Sequence, residues 1–95
     1  MIGTKVERKW GSYVVLAEGE GWKLKRLVVL PKSKSSLQRH FKRSEVWFSP
    51  KTKEVLFHKV TEWHQLRNPG EEPLEIIELQ FGEQCIEEDI ERKEE

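Results

Sequence analysis

The stretch Ser36-Leu37-Gln38-Arg39-His40-Phe41-Lys42-Arg43-Ser44-Glu45-Val46-Trp47 decides the interpretation of this chain because it gathers metal-binding side chains in a predicted strand. Side chains alternate between the two faces of an extended strand, so Gln38 and His40 point to the same face, about 7 Å apart along the backbone. Glu45 lies further along the stretch, and His64 follows in a second fragment. Neighbouring strands would bring these last two to the same point.

These four residues supply one amide oxygen, two imidazoles and one carboxylate. Mixed nitrogen and oxygen donors suit zinc, manganese, iron, cobalt or nickel better than calcium, which prefers oxygen alone. We therefore predict a divalent transition-metal site made of Gln38, His40, Glu45 and His64. The alternative places the glutamine and the glutamate on a solvated face and leaves the histidines as half-buried side chains with hydrogen-bond partners.

The length of 95 residues predicts one small domain over residues 1–95, near the lower limit of what a single hydrophobic core supports. A bound metal or a partner subunit would add stability to such a domain, and we expect a homodimer. Net charge is zero, yet residues 1–45 hold 11 Lys and Arg against 4 acidic residues, while residues 46–95 hold 6 against 13. Such asymmetry indicates either that a basic region faces phosphate groups or that the two halves attract each other. We favour the attraction, and no motif suggests a nucleic-acid partner.

Cysteine content and hydropathy indicate the compartment. Cys85 is the single cysteine, so no disulfide can form within the chain. The N-terminus lacks the apolar core of a signal peptide, and no apolar run approaches the length of a membrane span. We expect a cytoplasmic protein without a membrane partner.

Short strand-like runs separated by turn residues recur along the chain. Gly11–Ala17 and Trp22–Leu30 flank a glycine-rich turn and predict a hairpin. Alternation in later strands separates apolar from polar positions, and along Glu75–Phe81 one face carries Ile77, Leu79 and Phe81 while the other carries Ile76, Glu78 and Gln80.

About seven such strands without an internal helix predict an all-β sandwich or barrel. Ligand sites in barrels of this kind lie inside, near one mouth, so inward-facing polar residues are the candidates for function. The charged, proline-free segment from Ile86 onward predicts a short C-terminal helix or tail through Ile86 and Ile90, with residues 91–95 frayed.

Several spaced blocks carry a resemblance to a known family. They are Arg8-Lys9-Trp10-Gly11-Ser12-Tyr13, Gly19-Glu20-Gly21-Trp22-Lys23-Leu24-Lys25-Arg26-Leu27, Ser36-Leu37-Gln38-Arg39-His40, Arg43-Ser44-Glu45-Val46-Trp47, His64-Gln65-Leu66-Arg67-Asn68-Pro69-Gly70, Pro73-Leu74-Glu75-Ile76-Ile77-Glu78-Leu79-Gln80-Phe81-Gly82-Glu83 and Glu88-Asp89-Ile90. On these residues the chain resembles a cupin, and specifically the C-terminal cupin domain of type II mannose-6-phosphate isomerases and of bifunctional mannose-1-phosphate guanylyltransferases. The resemblance implies a small double-stranded β-helix, or jelly-roll barrel.

The resemblance also implies roles for individual residues. It aligns the first-motif metal ligands with Gln38, His40 and Glu45, and the second-motif histidine with His64. It further implies that the sugar-phosphate end of the barrel is lined by Arg8, Trp10, Tyr13, Lys25 and Arg26, where cations would hold the phosphate. Neighbouring side chains of a regular strand point to opposite faces, so at most one of the last two enters the barrel.

Departures from the family pattern are local. The family has three consecutive histidines starting at the position of His40, whereas this chain has Phe41 and Lys42 in the second and third places. The segment between Glu45 and His64, which separates the two cupin motifs, is shorter by roughly one hairpin. Such a loss would leave an open sheet edge that a dimer partner could cover.

Two functions follow from the resemblance. The first is a metal-dependent isomerase acting on mannose 6-phosphate or a related hexose phosphate, in which a base moves a proton between C1 and C2. The sequence identifies no residue as that base. The alternative is a non-catalytic cupin that binds a sugar or a small anion as an accessory or sensor module, since one fold hosts many functions.

Overall fold

The computed structural model describes residues 2–93, which form ten β-strands and no helix. The strands are β1 Lys5–Arg8, β2 Gly11–Gly19, β3 Trp22–Val29, β4 Ser33–Lys34, β5 Leu37–Arg39, β6 Arg43–Phe48, β7 Val55–His58, β8 Arg67–Asn68, β9 Leu74–Gly82 and β10 Glu91–Lys93. The predicted all-β class and the hairpin of β2 and β3 are confirmed. Within residues 2–93 no helix is long and apolar enough to cross a membrane.

The strands form one large sheet and two short ribbons. The large sheet has the order β1-β2-β3-β9-β6-β7, and the ribbons pair β4 with β8 and β5 with β10. Every pairing between these strands is antiparallel. A backbone bridge between Gln38 and His64 links the segments that contain the two histidines of the predicted metal site. Strands far apart in sequence therefore meet at this point.

The inward face of the large sheet is apolar at one end and polar at the other. Apolar side chains such as Leu27, Val29 and Ile76 form part of the hydrophobic core. The next inward position on each strand, two residues from Leu27 and from Ile76, is charged or polar. The buried side chains at these positions are Lys25 and Glu78. Because Lys25 lies directly opposite Glu78 in the β3–β9 register, the polar half is continuous across strands.

Alternation along β3 and β9 places the more apolar face outside. Ile77, Leu79 and Phe81 lie on the outer face of β9, whereas Ile76, Glu78 and Gln80 are buried. The periodicity itself was predicted from the sequence. The polar face of β9 lies inside because of its neighbours in the sheet. β9 pairs with β3 and β6, and all three strands turn the same face toward the segments that carry His40 and His64.

The C-terminal segment differs from the predicted helix. Residues after Gly82 form turns and then β10, which pairs with β5 through Glu91 opposite Arg39 and Arg92 opposite Gln38. An amphipathic helix through Ile86 and Ile90 is therefore wrong, because the backbone of this segment bonds to β5 and to the loop after it. Residues 91–93 are ordered as a strand, and the predicted fraying at residues 94 and 95 lies outside the described residues.

Gly11 begins the central hairpin at a position that excludes a side chain. Its φ is +153°, and a Cβ built there would lie 1.8 Å from the carbonyl oxygen of Val28. The close approach is needed because Gly11 pairs with Arg8 on one side and with Val29 on the other. The backbones of three strands thus meet at one glycine.

We expect Gly11→Ala to lower the free energy of unfolding by roughly 2–4 kcal/mol, since the added methyl would have to move backbone rather than a side chain. Urea denaturation measures the change. Gly70→Ala is the matched control, because its Cβ would come no closer than 3.4 Å, to Asn68 Oδ1. Equal losses in the two variants would contradict the argument.

Candidate metal centre

Three of the four predicted ligands converge at the polar end of the barrel. The ligand atoms of His40, Glu45 and His64 all lie within 4.8 Å of one another, and all three residues are buried. Glu45 is held in the middle of β6, His40 follows β5, and His64 sits on the bridge to Gln38. The sequence prediction that separate segments bring these three residues to one point is supported by this geometry.

The carboxylate of Glu45 lies between the two imidazoles. Its Oε2 is 3.1 Å from Nε2 of His40, and its Oε1 is 3.3 Å from Nε2 of His64. The two Nε2 atoms are 3.2 Å apart. Burial alone would raise the pKa of Glu45, but hydrogen bonds with both histidines and the charge of Arg43 hold it well below its usual value. The site therefore contains an ionised carboxylate at neutral pH.

Backbone carbonyls orient both imidazoles. Nδ1 of His40 lies 2.7 Å from the carbonyl oxygen of Asp89, and Nδ1 of His64 lies 2.9 Å from that of Glu62. A carbonyl oxygen only accepts, so each Nδ1 carries a proton and each Nε2 is the ring atom that faces the carboxylate. Without a proton or a cation between them, the two Nε2 atoms and the carboxylate oxygens would repel one another at these distances. A metal ion or a second proton on the imidazoles would supply that positive charge.

Arg43 belongs to this cluster, although sequence analysis did not select it. Its Nε donates to Glu45 Oε2 at 3.0 Å, its Nη1 donates to the carbonyl oxygen of Ile86 at 2.9 Å, and its Nη2 lies 3.3 Å from Nε2 of His40. The residue is only 4% exposed. Alternation could have revealed it, since Arg43 is two residues before Glu45 and shares its face.

Asp89 anchors the segment that carries the first histidine. Its carboxylate accepts the backbone N–H groups of Phe41 and Lys42 at 3.0 and 2.9 Å, while its own carbonyl oxygen contacts His40. Three contacts from one residue fix the turn after β5. The C-terminal segment, expected from sequence to be a helix or a free tail, is thus part of the site.

Gln38 stands beside the cluster. Its backbone N–H and C=O exchange hydrogen bonds with His64 at 2.9 and 2.8 Å, which places both side chains on the same face. The amide nitrogen of its side chain is 3.3 Å from the carbonyl oxygen of Ser36 and from its hydroxyl. The side chain lines the same cavity as Glu45 and His64, with its amide nitrogen directed to Ser36.

Glu78 is a second buried carboxyl group that sequence analysis did not select. Trp47 Nε1 donates to both Glu78 Oε2 and Glu45 Oε1 at 3.0 Å, and Gln80 donates to Glu78 Oε1 at 2.9 Å. Burial, and then the neighbouring charge of Glu45, raises the pKa of Glu78 to about 8. One carboxyl group in the site is therefore ionised and the other is neutral at pH 7.

A cavity of about 350 Å³ opens onto this cluster. Four of the five predicted sugar-phosphate residues line it, namely Arg8, Trp10, Tyr13 and Lys25. Lys25 is 3% exposed, with Nζ 4.1 Å from the ring centre of Tyr13 and 2.7 Å from Glu87 Oε2. The cationic end of the predicted sugar site shares this cavity with Gln38, Glu45 and His64.

The prediction for Arg26 is wrong in its placement. Arg26 follows Lys25 directly along β3, so its side chain lies on the outer face of the sheet, where it forms an ion pair with Glu75. The cavity does not include it. Strand alternation allows only one of these adjacent cations to enter the barrel, and Lys25 is the one that enters.

Phe41 and Lys42, which replace two histidines of the family pattern, lie outside the cavity. Phe41 is 51% exposed and lies beneath the guanidinium of Arg39, while Lys42 forms an ion pair with Glu83. Neither lines the cavity that Glu45 and His64 line. The substitutions leave the converging donor atoms unchanged.

The chain matches the family described as mannose-6-phosphate isomerase C-terminal over residues 1–95. It is 37% identical to the alginate biosynthesis protein AlgA of Pseudomonas syringae pv. tomato over 103 residues, which cover 93% of this chain and 21% of that protein. It is 33% identical to a mannose-1-phosphate guanylyltransferase of Salmonella muenchen, with 95% of this chain and 22% of that protein covered. The chain thus spans about a fifth of the length of these curated relatives.

Solved structures with low identity share the fold. Rru_A2000 from Rhodospirillum rubrum, described as a cupin-2 domain, superposes with a TM-score of 0.78 at 19% identity, covering 97% of this chain and 76% of that one. The capsular polysaccharide assembling protein CapF of Staphylococcus aureus also gives 0.78, at 12% identity, with 96% and 34% covered. The expected cupin architecture is confirmed by these likenesses.

The raised pKa of Glu78 predicts a pH effect on stability. The unfolded chain releases this proton near pH 4.5 and the folded chain holds it to about pH 8, so the folded state binds more protons between these values. Its contribution to the free energy of unfolding therefore falls as pH rises through that window. Glu78→Gln has no proton to release and should show a flatter pH dependence than the wild type.

Urea denaturation of metal-free protein at pH 5, 6.5 and 8 would test this expectation. Glu75→Gln, on the outer face, is the control and should follow the wild type. Parallel profiles for the wild type and Glu78→Gln would show that burial does not shift this group.

Proposed function

Because the chain belongs to the mannose-6-phosphate isomerase C-terminal family, we propose that it binds a divalent transition metal ion and a hexose phosphate and isomerises that sugar. The observation that carries the proposal is the convergence of three buried donor side chains, His40, Glu45 and His64, at the end of a cavity lined by cations. The metal would be zinc, manganese, cobalt, nickel or iron, which accept such nitrogen and oxygen donors.

The chemistry of the donor set fits a cation. Both imidazoles are oriented by Nδ1 contacts with backbone carbonyls, an arrangement typical of histidine ligands that bind through Nε2. Glu45 contributes the negative charge that a divalent ion requires. Arg43 partly neutralises that carboxylate, so its charge would moderate the affinity for the ion. Gln38 lies on the same face and offers an amide oxygen if its side chain turns from Ser36.

The charge of the cavity lining favours an anionic ligand. Its cationic residues are Arg8, Lys9, Lys25, Lys34, Arg43 and Arg92, and its acidic residues are Glu45, Glu78 and Glu87. Since Glu78 stays neutral at pH 7, positive charge exceeds negative in this lining. A phosphate group would find cations on more than one wall, while the neutral part of a sugar would contact Trp10 and Tyr13.

Lys25 is the cation best placed to connect the phosphate and metal ends. It lies in the interior on β3, directly opposite Glu78, and packs over the ring of Tyr13. Its present partner, Glu87, is half exposed and belongs to the C-terminal segment. An arriving phosphate would compete with that carboxylate for the ammonium group.

Isomerisation between an aldose and a ketose phosphate moves a proton between C1 and C2 of the open-chain sugar. A bound metal would polarise the oxygen atoms on those carbons and so acidify the C–H bond. The chain's own part is to hold the phosphate with cations, to orient the imidazoles through backbone carbonyls, and to keep Glu45 ionised. The depth of the ligands inside the barrel would limit the access of water to the reacting carbons.

Elemental analysis of protein prepared without chelators would test the metal site. We expect close to one transition metal per chain in the wild type and loss of about 90% or more in His40→Ala and His64→Ala, since each removes one of few donors. His58→Gln is the histidine control. His58 stacks on His64, with ring centres 4.9 Å apart, but its nitrogens are not among the converging atoms. No metal in the wild type after supplementation with zinc and manganese would contradict the proposal.

A coupled assay for fructose 6-phosphate formed from mannose 6-phosphate would test the reaction. We expect turnover in the metal-loaded wild type and a 10- to 100-fold increase in KM for Lys25→Gln, the cost of one charge-assisted hydrogen bond. Arg26→Gln, the neighbouring cation on the outer face, should leave KM unchanged. Thermal stabilisation by mannose 6-phosphate without turnover would instead support the non-catalytic binding module.

A further inference from the structure

Lys25 carries a positive charge into the interior of the barrel and is paired there with Glu87. Its side chain is 4% exposed, and its Nζ lies 4.1 Å from the centre of the Tyr13 ring and 2.7 Å from Glu87 Oε2. Burial alone would raise the pKa of Glu87, but the charge of Lys25 and the hydrogen bond with it hold that pKa below its usual value. Since a buried ammonium group requires compensation, this carboxylate supplies it in the free protein.

The two partners differ in burial. The side chain of Glu87 is 46% exposed, against 4% for that of Lys25, and both residues line the cavity. Lys25 is fixed in the middle of β3, which pairs with β2 on one side and with β9 on the other. A half-exposed carboxylate can rotate into water and be hydrated there, whereas the ammonium group stays inside. Separation of the pair would therefore move the glutamate and leave the cation in the cavity.

Contacts on both sides of Glu87 hold its backbone in place. One residue before it, the carbonyl oxygen of Ile86 accepts a hydrogen bond from Arg43 Nη1 at 2.9 Å. Two residues after it, the carboxylate of Asp89 accepts two backbone N–H groups from the turn that follows β5. The backbone at Glu87 is thus anchored while its side chain can change rotamer. Such a change is fast for an exposed side chain and would not limit the rate of ligand binding.

We propose that Glu87 is an internal competitor for the anion-binding site: its carboxylate pairs with Lys25 in the free protein and swings into water when the phosphate of a sugar ligand takes its place. This inference rests on the proposed binding of a hexose phosphate. The competitor weakens phosphate binding, because only the fraction of molecules with an unpaired Lys25 is competent to bind and the apparent affinity scales with that fraction. The same competition lowers the affinity for a phosphorylated product and favours its release.

This competition acts on the charged group of the ligand and not on the sugar. A ligand without an anionic group has no need of the ammonium group and leaves the pair of Lys25 and Glu87 intact. A phosphate monoester must displace the carboxylate, and it can do so because its charge of about −1.5 to −2 at pH 7 exceeds the single charge that it replaces. Neutral and phosphorylated forms of one sugar alcohol therefore separate the role of the pair from that of the remaining cavity.

Isothermal titration calorimetry at pH 7 with mannitol 6-phosphate and with mannitol would test the competitor. Mannitol 6-phosphate has no carbonyl group and cannot isomerise, so binding alone is measured. Glu87→Gln should bind it about 5- to 30-fold more tightly than the wild type, a range between the worth of an exposed ion pair and that of a buried charge-assisted hydrogen bond. The dissociation constant of mannitol should stay within about twofold of the wild type.

Glu88→Gln is the matched control, since Glu88 is the next residue, is exposed and does not line the cavity. It removes the same charge from the same segment and should leave both dissociation constants within about twofold of the wild type. In a Lys25→Gln background, Glu87→Gln should no longer tighten the binding of mannitol 6-phosphate, because the pair is already broken. Circular dichroism would verify folding, and Glu87→Ala would replace Glu87→Gln if that variant failed to fold.

Equal affinity of Glu87→Gln and the wild type for mannitol 6-phosphate would overturn the inference and leave the proposed function intact. Equal tightening by Glu88→Gln, equal tightening of mannitol, or tightening that persists in the Lys25→Gln background would also overturn it. Failure of the wild type and Glu87→Gln alike to bind mannitol 6-phosphate would contradict both the competitor and the proposed binding of a hexose phosphate. The expected tightening without turnover of mannose 6-phosphate would support the competitor and contradict the isomerase.

Discussion

The buried carboxylate of Glu45 is the group around which the polar half of this barrel is organised. A carboxylate that is 2% exposed is stable in its ionised form only with compensating partners, and here Arg43, His40 and His64 surround it. Each partner is in turn held by the backbone of another segment. Removing any one of them would leave charge or lone pairs without compensation, so the surrounding segments are coupled through a single group.

The arrangement explains why the interior is divided. Apolar side chains fill the end of the barrel formed by Leu27, Val29 and Ile76, and polar side chains occupy the other end along the same strands. Placing so many polar groups inside reduces the apolar area that folding can bury in a small domain. The apolar side chains of β3, β6, β7 and β9 then remain outside in a continuous surface. The polar interior and the apolar exterior therefore have one cause: these strands turn their polar side chains inward, which leaves the apolar side chains of the opposite face outside.

The C-terminal segment connects the site with the rest of the chain. Asp89 fixes the turn that carries His40, Ile86 accepts a hydrogen bond from Arg43, and Glu87 pairs with Lys25. From one stretch of chain, these contacts reach the cluster of His40, Glu45 and His64, the buried arginine and the cationic wall of the cavity. The segment is short and largely exposed, so its order depends on these polar contacts more than on hydrophobic burial.

Much of the strand pattern, the β class and the convergence of His40, Glu45 and His64 were predictable from the sequence, because alternation and turn residues are local properties and family blocks preserve spacing. Local patterns could not decide which face of β3 and β9 would be buried, since both faces are plausible until a partner strand is in place. They also missed Arg43 and Glu78, whose roles depend on register, as when Trp47 donates to carboxylates of two strands at once. Only the tertiary structure sent Lys25 inward and Arg26 outward, and only it placed turns and the strand β10 where a helix and a frayed end were expected. These outcomes follow from hydrogen bonds between residues about fifty positions apart.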